Sequence, residues 1–157
     1  MHRRTTLIAT LGLALAATAP AFAADPLKIG LVLPMSGPFA DYGKQIERGI
    51  RLYLAANGDT VAGRKIELII KDDSPGTAGD VSKRLAQELV VKDNVDVLAG
   101  FGLTPSALAV APIATEAKKP MVVMNAATSI ITTRSPYIVR VSHTLPQDTA
   151  PSAAWAA

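Results

Sequence analysis

The sequence predicts an α/β fold, a doubly wound and mostly parallel sheet with helices on both faces, three layers (αβα) in all. Two observations carry this. Short apolar runs alternate along the chain with longer segments whose apolar residues recur at helical spacing. Each run ends in a loop rich in Gly, Pro, Asp, Asn, Ser or Thr, and right-handed crossovers through the helices make neighbouring strands parallel.

Lys28–Leu33 is the first strand, after Lys28 an apolar run broken only by Gly30, as burial on both faces requires. Pro34 stops it, and Gly37 and Pro38 punctuate the loop. From about Asp41 a helix follows, with Tyr42, Ile46, Gly49, Ile50, Tyr53 and Leu54 on one face. Gly58, Asp59 and Gly63 form a turn, Lys65–Lys71 is the second strand, and Asp72-Asp73-Ser74-Pro75-Gly76 closes it. Thr77–Lys92 is helical, with Ala78, Val81, Leu85 and Leu89 aligned. Val95–Ala99 is the third strand, ended by Gly100-Phe101-Gly102. Thr104 caps a helix running to about Lys118, in which Pro112 is expected to remove a hydrogen bond or kink the axis. Met121–Met124 is the fourth strand, followed by the polar loop Asn125–Ser129. Tyr137–Val141 is the fifth, followed by Ser142-His143-Thr144 and an Ala-rich helix from near Gln147. That helix reaches Ala157 with neither a capping Gly nor a basic last turn, and reads as cut rather than finished.

The first 23 residues read as an export signal. Arg3 and Arg4 form a cationic head, Leu7–Ala17 is apolar, and Ala21-Phe22-Ala23 is a cleavage pattern. A membrane anchor needs about 20 apolar residues, and Thr5, Thr6, Thr10, Gly12, Thr18 and Pro20 interrupt this segment. The chain has no Cys, hence neither a lipid-attachment thiol nor a disulfide. The mature protein is expected in an oxidising compartment whose chemistry it does not use, most simply a bacterial periplasm. Cleavage removes Arg3 and Arg4, so the formal charge of +3 falls to about +1. With aromatics at 4% and no basic stripe, nucleic acid is not an expected partner. About 134 residues remain, enough for one core.

The motifs that invite an enzyme reading fail on spacing. Gly37 to Lys44 has five residues between its glycines and Gln45 after the Lys, where a phosphate loop needs four and a Ser or Thr. Gly100-Phe101-Gly102-Leu103-Thr104-Pro105 begins like a dinucleotide fingerprint, but Pro105 stands where the third Gly belongs and the motif follows the third strand. Asp72 and Asp73 could form an acid/base pair, though a turn with a cap for the next helix explains them more simply. His143 is the only His beyond the signal, and Gly-x-Ser-x-Gly is absent. No metal or other cofactor is expected. What remains is a set of neutral hydrogen-bonding groups at the strand ends: Ser36, Tyr42, Thr104, Ser106, Thr128 and Ser129, with free backbone groups at Gly102 and Ala126. Such groups can hold a charged solute through bonds worth about 1.5–3 kcal/mol each, helped by the helix start near Thr104. They lack the nucleophile and base needed to break a bond.

Ile29-Gly30-Leu31-Val32-Leu33-Pro34-Met35-Ser36-Gly37-Pro38, with Tyr42-Gly43, Gly49, Asp72-Asp73, Gly100, Pro120 and Asn125-Ala126-Ala127-Thr128, resembles the leucine/isoleucine/valine-binding family of periplasmic solute receptors. The resemblance covers essentially the whole mature chain. It implies the type I periplasmic binding fold, with two lobes that close on a ligand like a hinge and deliver amino acids or related carboxylates to ABC permease subunits in the inner membrane. Residues 1–23 are then the signal, 24–146 the N-terminal lobe, and 147–157 the start of a truncated helix leading to a missing second lobe. By position, the resemblance makes Thr104 the hydroxyl that holds a ligand carboxylate and Ala126 a backbone carbonyl acceptor. It makes Thr128 a hydroxyl near the ligand's α-amino group and Tyr42 an aromatic wall. Pro105 and Asn125 depart from the plainest amino-acid receptors. Gly102-Leu103-Thr104-Pro105-Ser106 and Ser135–Arg140 are more similar to the branch that takes aromatic or aliphatic carboxylates, so both ligand classes stay open. A ligand-sensing module of the same fold, without transport, is the alternative.

Overall fold

A computed structural model describes residues 24–75 and 77–156; the predicted export signal lies outside them. Strand β1 is Leu27–Leu33, and a single 3₁₀ turn, Gly37–Phe39, leads into helix α1, Ala40–Asn57. Then come β2 (Thr60–Val61), β3 (Arg64–Asp72), α2 (Gly79–Val91), β4 (Val97–Gly100), α3 (Thr104–Ala117) and β5 (Met121–Val123). A 3₁₀ segment at Ser129–Thr133, β6 (Ile138–Arg140) and α4 (Leu145–Ala156) complete the order. The strands lie side by side as β2-β3-β1-β4-β5-β6. All pairs are parallel except β2 with β3.

Strand β2 is an addition to the five strands the sequence predicts. Ala62 and Gly63 both have positive φ, 50° and 77°, the pair of values a two-residue hairpin turn requires. The predicted turn there is therefore the tip of a short hairpin on the sheet edge.

Leu31, Val32 and Leu33 are all fully buried, because the sheet is covered on both faces. Val32, Leu98, Met121, Val123 and Ile138 pack beneath α2 and α3 through Ala86, Leu89, Ala107, Val110, Ile113 and Ala114. Leu31, Leu33 and Ala99 pack on the other face with Ile29, Met35, Leu68 and Ile70, under Ile46 and Ile50 of α1. The α1 stripe is rotated from the predicted one: Gly43 is buried, while Tyr53 is 66% exposed and Gly49 is exposed. Close approach at Gly43 explains the rotation, since a Cβ there would stand 2.3 Å from the Pro34 carbonyl oxygen.

Helix α3 runs through Pro112, which is exposed, so the turn that lacks its bond lies on the solvated side. Helix α4 opens at Leu145, two residues before the predicted start. There the Gln147 side-chain carbonyl accepts from the N–H (2.8 Å) and hydroxyl (3.0 Å) of Thr144, half of a capping box.

Candidate functional site

The chain leaves β1 toward β3 on one side and reaches β4 on the other, so the sheet's switch point lies between the carboxyl ends of β1 and β4. Ligands of such sheets bind in the crevice above that point. Gly100, at φ 106°, turns the chain out of β4 where a Cβ would stand 2.5 Å from the Val32 carbonyl oxygen. Phe101 follows in the left-handed region at φ 64°, fully buried. Its N–H donates to the Val32 carbonyl (2.8 Å) and its carbonyl accepts from the Ala126 N–H (3.0 Å). One strained residue thus ties the end of β1 to the loops after β4 and β5.

On this rim the structure brings Thr104 and Thr128 together, with hydroxyl oxygens 2.7 Å apart. Either can donate, so the pair has one further hydroxyl proton to offer. Thr104 is also the first residue of α3, where its own N–H has no intrahelical acceptor and the helix dipole is positive; Pro105, next in line, has no N–H. Tyr42 is 44% exposed and stacked on Phe39, with ring centroids 6.1 Å apart. It lines an open crevice of ≈ 440 Å³ with Asn125, Ala127, Val141, Ser142, His143 and Asp148. Tyr42, Thr104 and Thr128 therefore share one edge of the body. His143 stands on the segment joining β6 to α4, its imidazole Nδ1 3.1 Å from Asp148.

Several predicted contacts have other partners. Ser106 is fully buried and donates its hydroxyl to Asp73 Oδ2 at 2.7 Å, so it braces α3 instead of facing the crevice. At Gly102 and Ala126, where free backbone groups are expected, each carbonyl already accepts one hydrogen bond. Gly102 accepts from the Asn125 amide at 2.7 Å and Ala126 from the Arg140 guanidinium. Ser36 is exposed; its N–H donates to the Ser74 hydroxyl at 3.0 Å. Ser129 opens the 3₁₀ segment after the rim loop.

The two adjacent aspartates part company, which removes the acid/base pair. Asp72 Oδ1 accepts from the N–H groups of Met35 and Ser74, both at 2.9 Å, and from the Ser74 hydroxyl. Burial would raise the Asp72 pKa, but the hydrogen bonds from Ser74, Met35 and Ser36 outweigh it and hold the carboxyl at about 2. Asp73 is fully buried and is not a helix cap: its Oδ2 accepts from Ser82 on α2 and Ser106 on α3, each at 2.7 Å, and its Oδ1 has no partner. Among the described residues no group of His, Asp or Glu could hold a metal ion, and no helix is long and apolar enough to cross a membrane.

Sequence reasoning missed Arg140. It ends β6 on the same side of the strand as buried Ile138, while Val139 between them is exposed. A half-buried guanidinium here donates to the carbonyls of Ala126 and Thr128, the second at 2.6 Å. The available signal was parity, an Arg where the period of two asks for an apolar side chain.

Comparison with known proteins gives a consistent result. A family described as periplasmic binding protein matches residues 26–157. Leu/Ile/Val-binding protein homolog 6 of Brucella abortus (strain 2308) is 50% identical over 130 residues, 83% of this chain and 33% of that protein. A solute-binding protein of an ABC transporter from Rhodopseudomonas palustris BisB5, solved with 3,4-dihydroxybenzoic acid, is 58% identical with a TM-score of 0.80, over 83% of this chain and 36% of that one. Another from R. palustris, solved with 4-hydroxybenzoate, is 48% identical with a TM-score of 0.82, over 84% and 36%. A leucine-binding protein from Thermotoga maritima MSB8 is 28% identical with a TM-score of 0.76, over 83% and 36%. The chain thus spans about a third of the length of the relatives it matches, and its described residues form one lobe of the type I periplasmic binding fold.

Proposed function

The chain belongs to the periplasmic binding protein family, and on that premise we propose that it forms one wall of the ligand cleft in the extracytoplasmic solute-binding component of an ABC importer. The ligand is a small carboxylate, either an amino acid or an aromatic or aliphatic acid. The observation that carries this reading is the Thr104–Thr128 hydroxyl pair, set at the N-terminus of α3 over the switch point of the sheet. Hydroxyls, the Thr104 N–H and a positive helix end are what a carboxylate needs, and they bind without supplying a nucleophile. In this reading Tyr42, which lines the crevice together with Asn125 and Ala127 of the loop that carries Thr128, supplies an aromatic wall.

In this reading residues 1–23 direct export, and the partners are permease subunits of the inner membrane. The opposite wall of the cleft belongs to the part of the relatives that this chain does not match. The test is thermal melting of the protein at its full native length against a broad panel of amino acids and aromatic and aliphatic acids. A melting shift with at least one of them is expected, and no shift across the panel would remove the solute-receptor reading. Uptake of that ligand lost with the permease genes, and restored with them, would separate transport from sensing.

A further inference from the structure

We propose that Arg140 sets the charge selectivity of the crevice, favouring carboxylates without an ammonium group over zwitterionic amino acids; this rests on the solute-receptor reading above. An ammonium needs oxygen acceptors. Three carbonyls on this rim would be its natural partners, and each already accepts a side-chain N–H: Gly102 from Asn125, and Ala126 and Thr128 from Arg140. The groups left to a ligand include the further hydroxyl proton of the Thr104–Thr128 pair and the Thr104 N–H at the start of α3.

Charge acts in the same direction. Arg140 takes part in none of the Lys or Arg ion pairs among the described residues, whose cations are Arg51, Arg64, Lys65, Lys71 and Lys92. Asp72 and Asp73 are engaged by other groups, Met35 and Ser74 for the first and Ser82 and Ser106 for the second. The half-buried guanidinium is the charged group bonded to the loop that carries the Thr128 hydroxyl. It attracts a carboxylate and repels the ammonium that an amino acid carries one carbon away, in surroundings less screening than bulk water. On this wall an ammonium would have to share a carbonyl with Arg140 or Asn125 and sit close to a second cation.

The experiment uses isothermal titration calorimetry on the protein at its full native length, with two matched pairs that differ only in the α-ammonium. These are 4-methylpentanoate against leucine and 4-hydroxyphenylacetate against 4-hydroxyphenylglycine, with 4-hydroxybenzoate as a further acid. The wild type is expected to bind the acids about tenfold or more tighter than the amino acids. Arg140→Gln is expected to shrink that ratio by about tenfold, and Arg140→Lys, which keeps the charge and loses the fork, to retain a preference. A preference for the amino acids in the wild type overturns the inference while leaving the receptor reading intact. An unchanged ratio in Arg140→Gln, with both ligand classes weakened alike, overturns it too, because that is the signature of loop ordering alone. If Arg140→Gln fails to fold by circular dichroism, the wild-type ranking and Arg140→Lys decide. Failure of every compound to bind the wild type defeats the receptor reading and the inference with it.

Discussion

Removing the Asp72 carboxylate by Asp72→Ala tests what holds the loop after β1 in place. Two backbone N–H groups and the Ser74 hydroxyl converge on Asp72 Oδ1. The same hydroxyl lies 2.8 Å from the Ser36 carbonyl, so its single proton is shared between the two acceptors. The folded pKa of about 2 lies below the ordinary 3.8, which means the folded state favours the ionised form. A difference of that size corresponds to a ceiling of about 2.4 kcal/mol. Asp72 is exposed, and solvent screening reduces this to about 1 kcal/mol.

The sign follows from the depressed folded value. The stabilisation is fully present above about pH 4, where the unfolded carboxyl is also ionised, and is lost as the pH falls toward the folded value. By pH 3 about half of it should be gone. Urea denaturation followed by far-ultraviolet circular dichroism at pH 6 and pH 3 measures this directly. At pH 6, Asp72→Ala should be about 1–2 kcal/mol less stable than wild type, counting both the ionic contribution and the lost loop bonds, and the gap should narrow at pH 3. Asp96, whose pKa is also lowered, chiefly by the Lys28 N–H, titrates in both proteins and cancels from the difference. A gap that is the same at both pH values would refute the charge-assisted account of this loop.

Three further outcomes are expected. Gly43→Val should cost about 2–3 kcal/mol or more in urea denaturation, because a Cβ would stand 2.3 Å from the Pro34 carbonyl oxygen and 2.8 Å from Met35 Sδ; a loss under about 0.5 kcal/mol would contradict the close packing of α1. Thr104→Val should leave stability within about 1 kcal/mol of wild type yet weaken binding of the proposed carboxylate about tenfold or more, so equal affinity by calorimetry would exclude Thr104 from the site. Residues 24–157 alone should bind that carboxylate orders of magnitude more weakly than the protein at its full native length, since one wall leaves the ligand half solvated. A micromolar constant for the lobe alone would show that the opposite wall contributes little.

The fold was legible wherever burial is governed by periodicity. Most strands of the parallel sheet announce themselves as apolar runs or as alternation, and α2 and α3 lie where their spacing puts them. Strand β2 escaped because two residues carry no period, and only the turn geometry of Ala62 and Gly63 reveals the pairing. The face of α1 was misjudged for a different reason. Periodicity finds a stripe, but the contact of Gly43 with Pro34 decides how the helix is rotated onto the sheet.

At the candidate site, residue type and place in the chain located the rim but could not assign partners. Ser106 and Thr104 are both hydroxyl residues of the same helical turn, yet one is buried on Asp73 and the other meets Thr128, because residues two apart on a helix point in different directions. The carbonyls of Gly102 and Ala126 looked available for the same reason Arg140 was overlooked. Their donors, Asn125 and Arg140, come from 23 and 14 residues further along, and no local pattern links them. This changes the chemistry inferred for the crevice. A rim of neutral groups with open carbonyls would accept either end of a zwitterion. The same rim with those carbonyls already sharing donors and a guanidinium behind them is the basis of the charge selectivity proposed for Arg140.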